Sequence, residues 1–327
     1  MNHREFGRLG WRISVVGFGS WALGGEGWGG QDDAESIHAL HRALELGCNF
    51  IDTARAYGDG RSERVIARAL AEHRGGRVYV ATKVPPIITR DWLATPYEHW
   101  HDKYPEQHIR DCVERSLRDL RTDCIDLLQI HTWSRAWNRN PAPFQVLRDL
   151  QKQGKIRGIG VSTPEHDQNA VVDLIRGGWV DSVQVIYNIF DQEAQAEIFL
   201  AAIEHGVGII VRVAFDEGAL TGKLTAQTTF REGDIRRSYF AGDRLIRTVL
   251  RVEKIRQALG AEEPDLAEAA LKFAIKPQAV STVIPGIRNA RQAEANCRVG
   301  SLPPMSDEME LELRRHQWRR CFWHAGK

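Results

Sequence analysis

The sequence predicts a (β/α)8 barrel, and three observations carry that expectation. Short β-branched or apolar runs alternate with amphipathic stretches at a steady pitch along all 327 residues, the pattern of successive βα units. Eight such runs can be counted, and eight is the number a closed barrel needs. No low-complexity tract or Ser/Pro-rich linker divides the chain, so residues 1–327 are expected to form one domain.

In chain order, Met1–Ile13 reads as a short hairpin that closes the barrel floor. The strand candidates then follow as Ser14–Gly19, Asn49–Thr53, Val78–Lys83, Ile125–His131, Ile156–Ser162, Ser182–Asn188, Gly208–Val213 and Val280–Gly286. Between them, Ile109, Cys112, Val113, Leu117 and Leu120 are spaced to make one apolar helical stripe. Ile198, Phe199, Ala202 and Ile203 repeat that spacing, and Gly206 follows as a helix stop. Two segments exceed a minimal barrel. Phe215–Asp243, rich in Gly, Arg and Thr, follows the seventh strand, where long loops sit on the catalytic face; it is expected to close over that face. Ser306–Cys321 reads as an extra helix ending in Phe322-Trp323. The competing fold is a doubly wound open sheet, which places G-x-G-x-x-G after its first strand. Here Gly17-Phe18-Gly19-Ser20-Trp21-Ala22 comes close, but a bulky Trp21 inside the turn obstructs a pyrophosphate.

Composition narrows the function. Lys+Arg number 44 against 43 Asp+Glu, a net charge of +1, which argues against a protein that coats nucleic acid or an anionic membrane. No run approaches the roughly 18 apolar residues of a spanning helix. Met1-Asn2-His3-Arg4-Glu5 lacks the apolar core of a secretory signal. Five scattered cysteines without a CxxC pair fit a reducing cytoplasm. His99/His101 and His38/His41 have metal-compatible spacing, but no nearby acidic or Cys partner completes a site, so no metal is expected. Motifs of P-loop, zincin and serine-hydrolase chemistry are absent. The basic run Arg314–Arg320 reads as a solvated helix face.

The informative polar residues fall at strand ends. Asp52 closes the second strand, with Tyr57 five residues on; Lys83 closes the third and His131 the fourth. Singly, each has an ordinary reading as cap, solvated charge or hydrogen-bonded structural group. Together, on neighbouring barrel strands, they converge. A phenol ordinarily titrates near 10, and an adjacent ammonium is expected to lower that value by about 1–3. A carboxylate would fix the ammonium, and an imidazole would orient a carbonyl or extend a proton path. The set amounts to an acid that protonates an oxygen as negative charge develops on it. A second constellation, Ile284-Pro285-Gly286-Ile287-Arg288, runs from the last strand into a helix start, where barrels commonly bind phosphate.

An ordered series of motifs carries a resemblance. Gly17-Phe18-Gly19-Ser20-Trp21, Phe50-Ile51-Asp52-Thr53-Ala54 with Tyr57-Gly58 and Arg61-Ser62-Glu63, Ala81-Thr82-Lys83 and Leu128-Gln129-Ile130-His131 come first. Gly154–Ser162, Val183-Gln184, Leu220-Thr221-Gly222-Lys223 and Ile284-Pro285-Gly286 follow. In this order the chain resembles the aldo-keto reductases over nearly its whole length. The resemblance implies a barrel that binds NADPH/NADP+ in extended form and reduces a small-molecule carbonyl substrate. Tyr57 would be the acid/base, supported by Asp52, Lys83 and His131. Ser162 and Gln184 would hold the nicotinamide carboxamide, with Ser20 and Trp21 near the nicotinamide and Gly286 in the cofactor cradle. Arg288, Gln292 and Asn296 would contact the 2′-phosphate and adenine.

Three positions depart from the family pattern. Thr163 replaces the usual Asn, Arg212 replaces a Tyr that stacks on the nicotinamide, and Ala295 replaces a Glu, with Glu294 one residue away. Arg212 can stack through its guanidinium plane. Trp21, Trp92, Trp100, Trp133 and Trp137 suggest an aromatic-walled pocket. Two other readings remain: a cofactor-binding regulatory or redox-sensing barrel, and a lyase or isomerase using Lys83 as a Schiff-base nucleophile.

Overall fold

The computed structural model describes residues 1–25, 27–89, 91–93, 95–260, 265–320 and 322. β1 (His3–Phe6) and β2 (Trp11–Ser14) pair as an antiparallel hairpin with Phe6 opposite Trp11. Eight parallel strands follow: β3 (Phe18–Gly19), β4 (Phe50–Asp52), β5 (Tyr79–Val84), β6 (Ile125–Ile130), β7 (Ile156–Ser162), β8 (Ser182–Ile186), β9 (Gly208–Arg212) and β10 (Val280–Val283). They pair in sequence order, and bridges Val16–Val283 and Gly19–Gly286 join β10 back to β3. The sheet is therefore a closed barrel, as the eight-fold repeat predicts.

Helices wrap the strands: α1 (Asp33–Glu45), α2 (Arg61–Glu72), a single turn α3 (Trp100–Lys103), α4 (Glu106–Leu120), α5 (Ala142–Lys152), α6 (Val172–Arg176) and α7 (Ile198–His205). After β9 come the short α8 (Arg236–Tyr239), then α9 (Arg244–Leu259) and α10 (Leu266–Ile275); α11 (Ala290–Val299) and α12 (Asp307–Arg314) complete the chain. The stripe on α4 buries Ile109, Cys112, Val113 and Leu120, and α7 ends where Gly206 takes φ 62°, a left-handed conformation that glycine adopts without strain. Among the described residues, no helix is long and apolar enough to cross a membrane, and no group of three or more His, Cys, Asp or Glu is arranged to hold a metal.

The hairpin seals the barrel floor. Phe6 and Ile13 pack with the inward-facing Phe50, Ala81, Leu127, Ile210 and Ile284. Arg4 holds the edge of the seal by donating to the carbonyls of Ile275, Pro277 and Val280 at 2.8, 3.1 and 2.6 Å. Strand side chains alternate in and out, so two residues further along, each of four floor residues gives way to a polar one. Phe50 leads to Asp52, Ala81 to Lys83, Leu127 to Gln129 and Ile210 to Arg212. The barrel interior thus changes from apolar to polar toward the carboxyl ends of its strands.

Several strand ends shift by one to three residues, Val280–Gly286 ending at Val283 among them, and two differences go further. The run Ser14–Gly19 divides, because Ser14 ends the hairpin and only Phe18–Gly19 pairs within the barrel. The helix expected over Ser306–Cys321 stops at Arg314. Beyond it the tail folds back: the Trp318 amide donates to Phe190 O at 2.8 Å, and the Arg320 guanidinium pairs with buried Asp216 at 2.6 Å. Phe322 is buried, whereas Cys321 and Trp323 lie outside the described residues. The long segment after β9 reaches the loop after β3, where the Ile235 amide donates to Gly27 O at 3.0 Å.

Candidate active site

Asp52, Tyr57, Lys83 and His131 come together at the carboxyl ends of β4, β5 and β6. Lys83 is 1% exposed, and its Nζ donates to Asp52 Oδ1 at 2.5 Å, Thr53 O at 2.8 Å and Tyr57 Oη at 3.5 Å. A buried ammonium needs this full set of acceptors to offset its lost hydration. The second Asp52 oxygen accepts from Gln184 Nε2 at 2.7 Å and Gln129 Nε2 at 3.2 Å. The carboxylate is thereby held from three strands.

Tyr57 sits in the turn between β4 and α2. Gly58 takes φ 62°, and a Cβ there would strike the Gly24 backbone, so glycine is what lets this turn lie against the loop after β3. That approach lays Tyr57 against Trp21, with centroids 6.2 Å apart and planes 26° apart. Below the turn, Arg55 pairs with Asp59, Glu63 and Asp119, and Glu63 Oε1 accepts from Thr82 Oγ1 at 2.7 Å on β5. Glu63 is fully buried, and its carboxyl is pushed above the ordinary carboxylate range by that burial. This brace between turn and β5 went unread in the sequence, as did Gln129.

Burial decides the protonation of Tyr57 and His131. The Tyr57 phenol lies above its ordinary value because burial outweighs the attraction of Lys83. This reverses the sequence-based expectation of a lowered phenol. His131 lies well below its ordinary value, first through burial and then through the Lys83 and Arg212 cations, so its imidazole is neutral near pH 7. Its Nδ1 is buried without a hydrogen-bond partner. Trp92 meets the His131 ring edge-on at 4.9 Å, and Tyr57 does so at 6.0 Å.

The aromatic wall is smaller than expected. Trp21 and Trp92 belong to it, and Trp28 joins by meeting Trp21 edge-on at 5.5 Å. Trp133 and Trp137 are core residues, 0% and 4% exposed, while half-buried Trp100 packs against the core.

The remaining predicted residues divide into two ends. At one, Ser162 on β7 stands opposite Gln184 on β8. Thr163 turns its hydroxyl to Gln168 Oε1 at 3.2 Å. Arg212 donates to Thr163 O at 3.0 Å and Glu165 Oε1 at 3.1 Å, leaving its Nε buried without a partner. The Ser20 hydroxyl is engaged with Ser62 at 2.8 Å. At the other end, Gly286 borders open space, with no atom within 4 Å of where a Cβ would stand. Arg288 Nε donates to Gln31 Oε1 at 3.0 Å and its Nη2 to Gly30 O at 2.7 Å. Gln292 accepts from the Arg288 amide at 2.8 Å, and Asn296 is buried one turn on. Glu294 pairs with Arg42 at 2.8 Å, so its displacement by one residue takes it to the α1 side.

The aldo/keto reductase family model matches residues 15–316. Aldo-keto reductase YhdN of Bacillus subtilis is 34% identical over 239 residues, covering 72% of this chain and 69% of that protein. The NADH-specific methylglyoxal reductase of Escherichia coli is 25% identical over 296 residues, 87% of this chain and 89% of that one. The solved holo form of an aldo-keto reductase from Bacillus halodurans superposes with a TM-score of 0.75 at 25% identity, covering 97% of this chain and 96% of that one. The match spans nearly the whole barrel, and the chain belongs to the aldo/keto reductase family and is an oxidoreductase.

Proposed function

We propose that this oxidoreductase uses NADPH to reduce aldehyde and ketone carbonyls to alcohols, with Tyr57 as the proton donor. The observation that carries the reading is the buried Lys83 ammonium bonded to Asp52, Thr53 O and Tyr57 Oη. The site also suits a nicotinamide cofactor. His131 Nδ1 and Arg212 Nε are unpartnered polar atoms at the ends of β6 and β9, and Gly286 leaves a cradle that a side chain would fill. A bound dihydronicotinamide supplies the hydride. Ser162 and Gln184 would hold its carboxamide, Arg212 would face the ring, Ser20 and Trp21 would line that end, and Arg288, Gln292 and Asn296 would take the adenosine phosphate end.

Tyr57 holds its proton at neutral pH and delivers it to the substrate oxygen as charge develops there. Lys83 then faces the resulting phenolate at hydrogen-bond range and stabilises it. Neutral His131 donates its ring N–H to the same oxygen, which orients the carbonyl. Lys83 is a poor Schiff-base nucleophile here, because a charged nitrogen committed to three acceptors has no lone pair to offer.

The test is single-turnover reduction with pre-bound NADPH. Tyr57→Phe is expected to lower the rate by at least the roughly 10²–10⁴-fold that general acid catalysis supplies, with cofactor affinity nearly unchanged. His131→Gln is expected to retain more of the rate than Tyr57→Phe. Near-parental reduction by Tyr57→Phe moves the donor role to His131, and tight NADPH binding without turnover by the parent favours a sensing subunit.

A further inference from the structure

On the outer ring of the barrel, α2 and α4 enclose a groove of about 400 Å³. Five arginines line it. Arg61, Arg64 and Arg68 are three and four residues apart and share one face of α2. Arg118 lies in the last turn of α4, and Arg121 follows that helix with φ 53°, a left-handed conformation that is uncommon for a long side chain.

The two aspartates in the groove are already shared. Asp33 accepts from Arg61 at 2.7 Å and Arg68 at 2.9 Å. Asp119 accepts from Arg64 at 3.1 Å and also from Arg55 behind it. Among the described residues, the side chains of Arg118 and Arg121 have no hydrogen-bond or ion-pair partner. The whole chain carries a net charge of only +1, so this excess of guanidinium is a local concentration.

We infer that the groove binds a small polyanion with at least two phosphate or carboxylate groups, gripped by Arg118 and Arg121 on one wall and Arg64 and Arg68 on the other. Planar guanidinium forks pair with either anion through two parallel hydrogen bonds. The volume falls within the roughly 300–1,000 Å³ of small-molecule sites. Asp33 and Asp119 interrupt the uniform positive track that a nucleic-acid backbone follows. The groove is separate from the proposed reaction, and its occupancy does not depend on that assignment.

Calorimetric titration of the full chain at fixed ionic strength tests it, with saturating NADP+ present and tripolyphosphate, citrate and inorganic phosphate as probes. Tripolyphosphate or citrate is expected to bind at least about tenfold more tightly than inorganic phosphate, and the better of the two identifies the source chemistry. The double variant Arg118→Glu/Arg121→Glu is expected to lose at least about tenfold in that affinity. Arg74→Glu/Arg139→Glu, with the same charge change at other exposed positions, is expected to keep it. Arg118→Gln/Arg121→Gln repeats the measurement should the reversed charges disturb folding. Equal binding of all three anions, equal losses in both reversed-charge variants, or full affinity without Arg118 and Arg121 would overturn the proposal.

Discussion

At Tyr57 and His131, the same physical cause acts in opposite directions. Burial penalises charge, so the phenol keeps its proton and the imidazole sheds one. The rate of carbonyl reduction is therefore expected to show no inflection near the ordinary histidine value of about 6.5, and to fall only above about 10 as Tyr57 deprotonates. Stopped-flow reduction across pH 5.5–11 checks this. Glu217 offers a second titration, since burial, then the neighbouring Asp216 charge, pushes its carboxyl up to about 8 from 4.5. The folded state keeps this proton over a range where the unfolded chain loses it. Its stabilising contribution is full below about 4.5 and is lost as pH rises through about 8. Melting temperature is expected to decline between pH 5 and 9, with Glu217→Gln flattening the decline. The tetrad was legible because each member interrupts or follows an apolar strand. Gln129 was not, since one amide within Ile125–Ile130 reads as part of a buried run. The direction of the Tyr57 shift was also hidden: the sequence displays the neighbouring lysine but not the depth of burial.

Among the elements, all eight barrel strands were readable, because strands covered on both faces are nearly continuous apolar runs. The misplacements have local causes. Ile13-Ser14-Val15-Val16 is one apolar run shared by hairpin and barrel, so hydrophobicity alone does not divide it. Trp318 and Phe322 are four residues apart and mimic a helical face, whereas Arg320 leaves the helix to meet Asp216. Trp133 and Trp137 follow a strand end as pocket residues do, yet they pack edge-to-face at 5.1 Å within the core. The segment Phe215–Asp243 already meets the β3 loop through Ile235 and Gly27. Its amides are expected to gain hydrogen-exchange protection when NADPH binds; unchanged protection would make it a surface excursion. At α11, Arg288→Ala is expected to weaken NADPH by a charge-assisted contact of about 1.5–3 kcal/mol while sparing NADH, as equilibrium titration of both cofactors would show.

For the molecule as a whole, the floor and the mouth have separate duties. Phe6 is fully buried with the inward residues beneath the tetrad, so Phe6→Ala is expected to cost about 3–5 kcal/mol of stability. Urea unfolding measures that loss, and turnover per folded molecule is expected to stay close to the parental value. The alternation that turns Phe50 into Asp52 and Ala81 into Lys83 lets one closed sheet supply both layers, and it explains why the fold and the placement of the candidate site residues were legible from the same strands.

The clasp of Arg288 by Gln31 and Gly30 bears on how its substitution is interpreted. Alanine removes contacts from the ligand-free protein as well as from the complex, so an absolute dissociation constant mixes both. In a thermodynamic cycle the two cofactors share one free state, and its contribution cancels in the ratio of their constants. That ratio, measured with and without the arginine, isolates the guanidinium's preference for the extra phosphate.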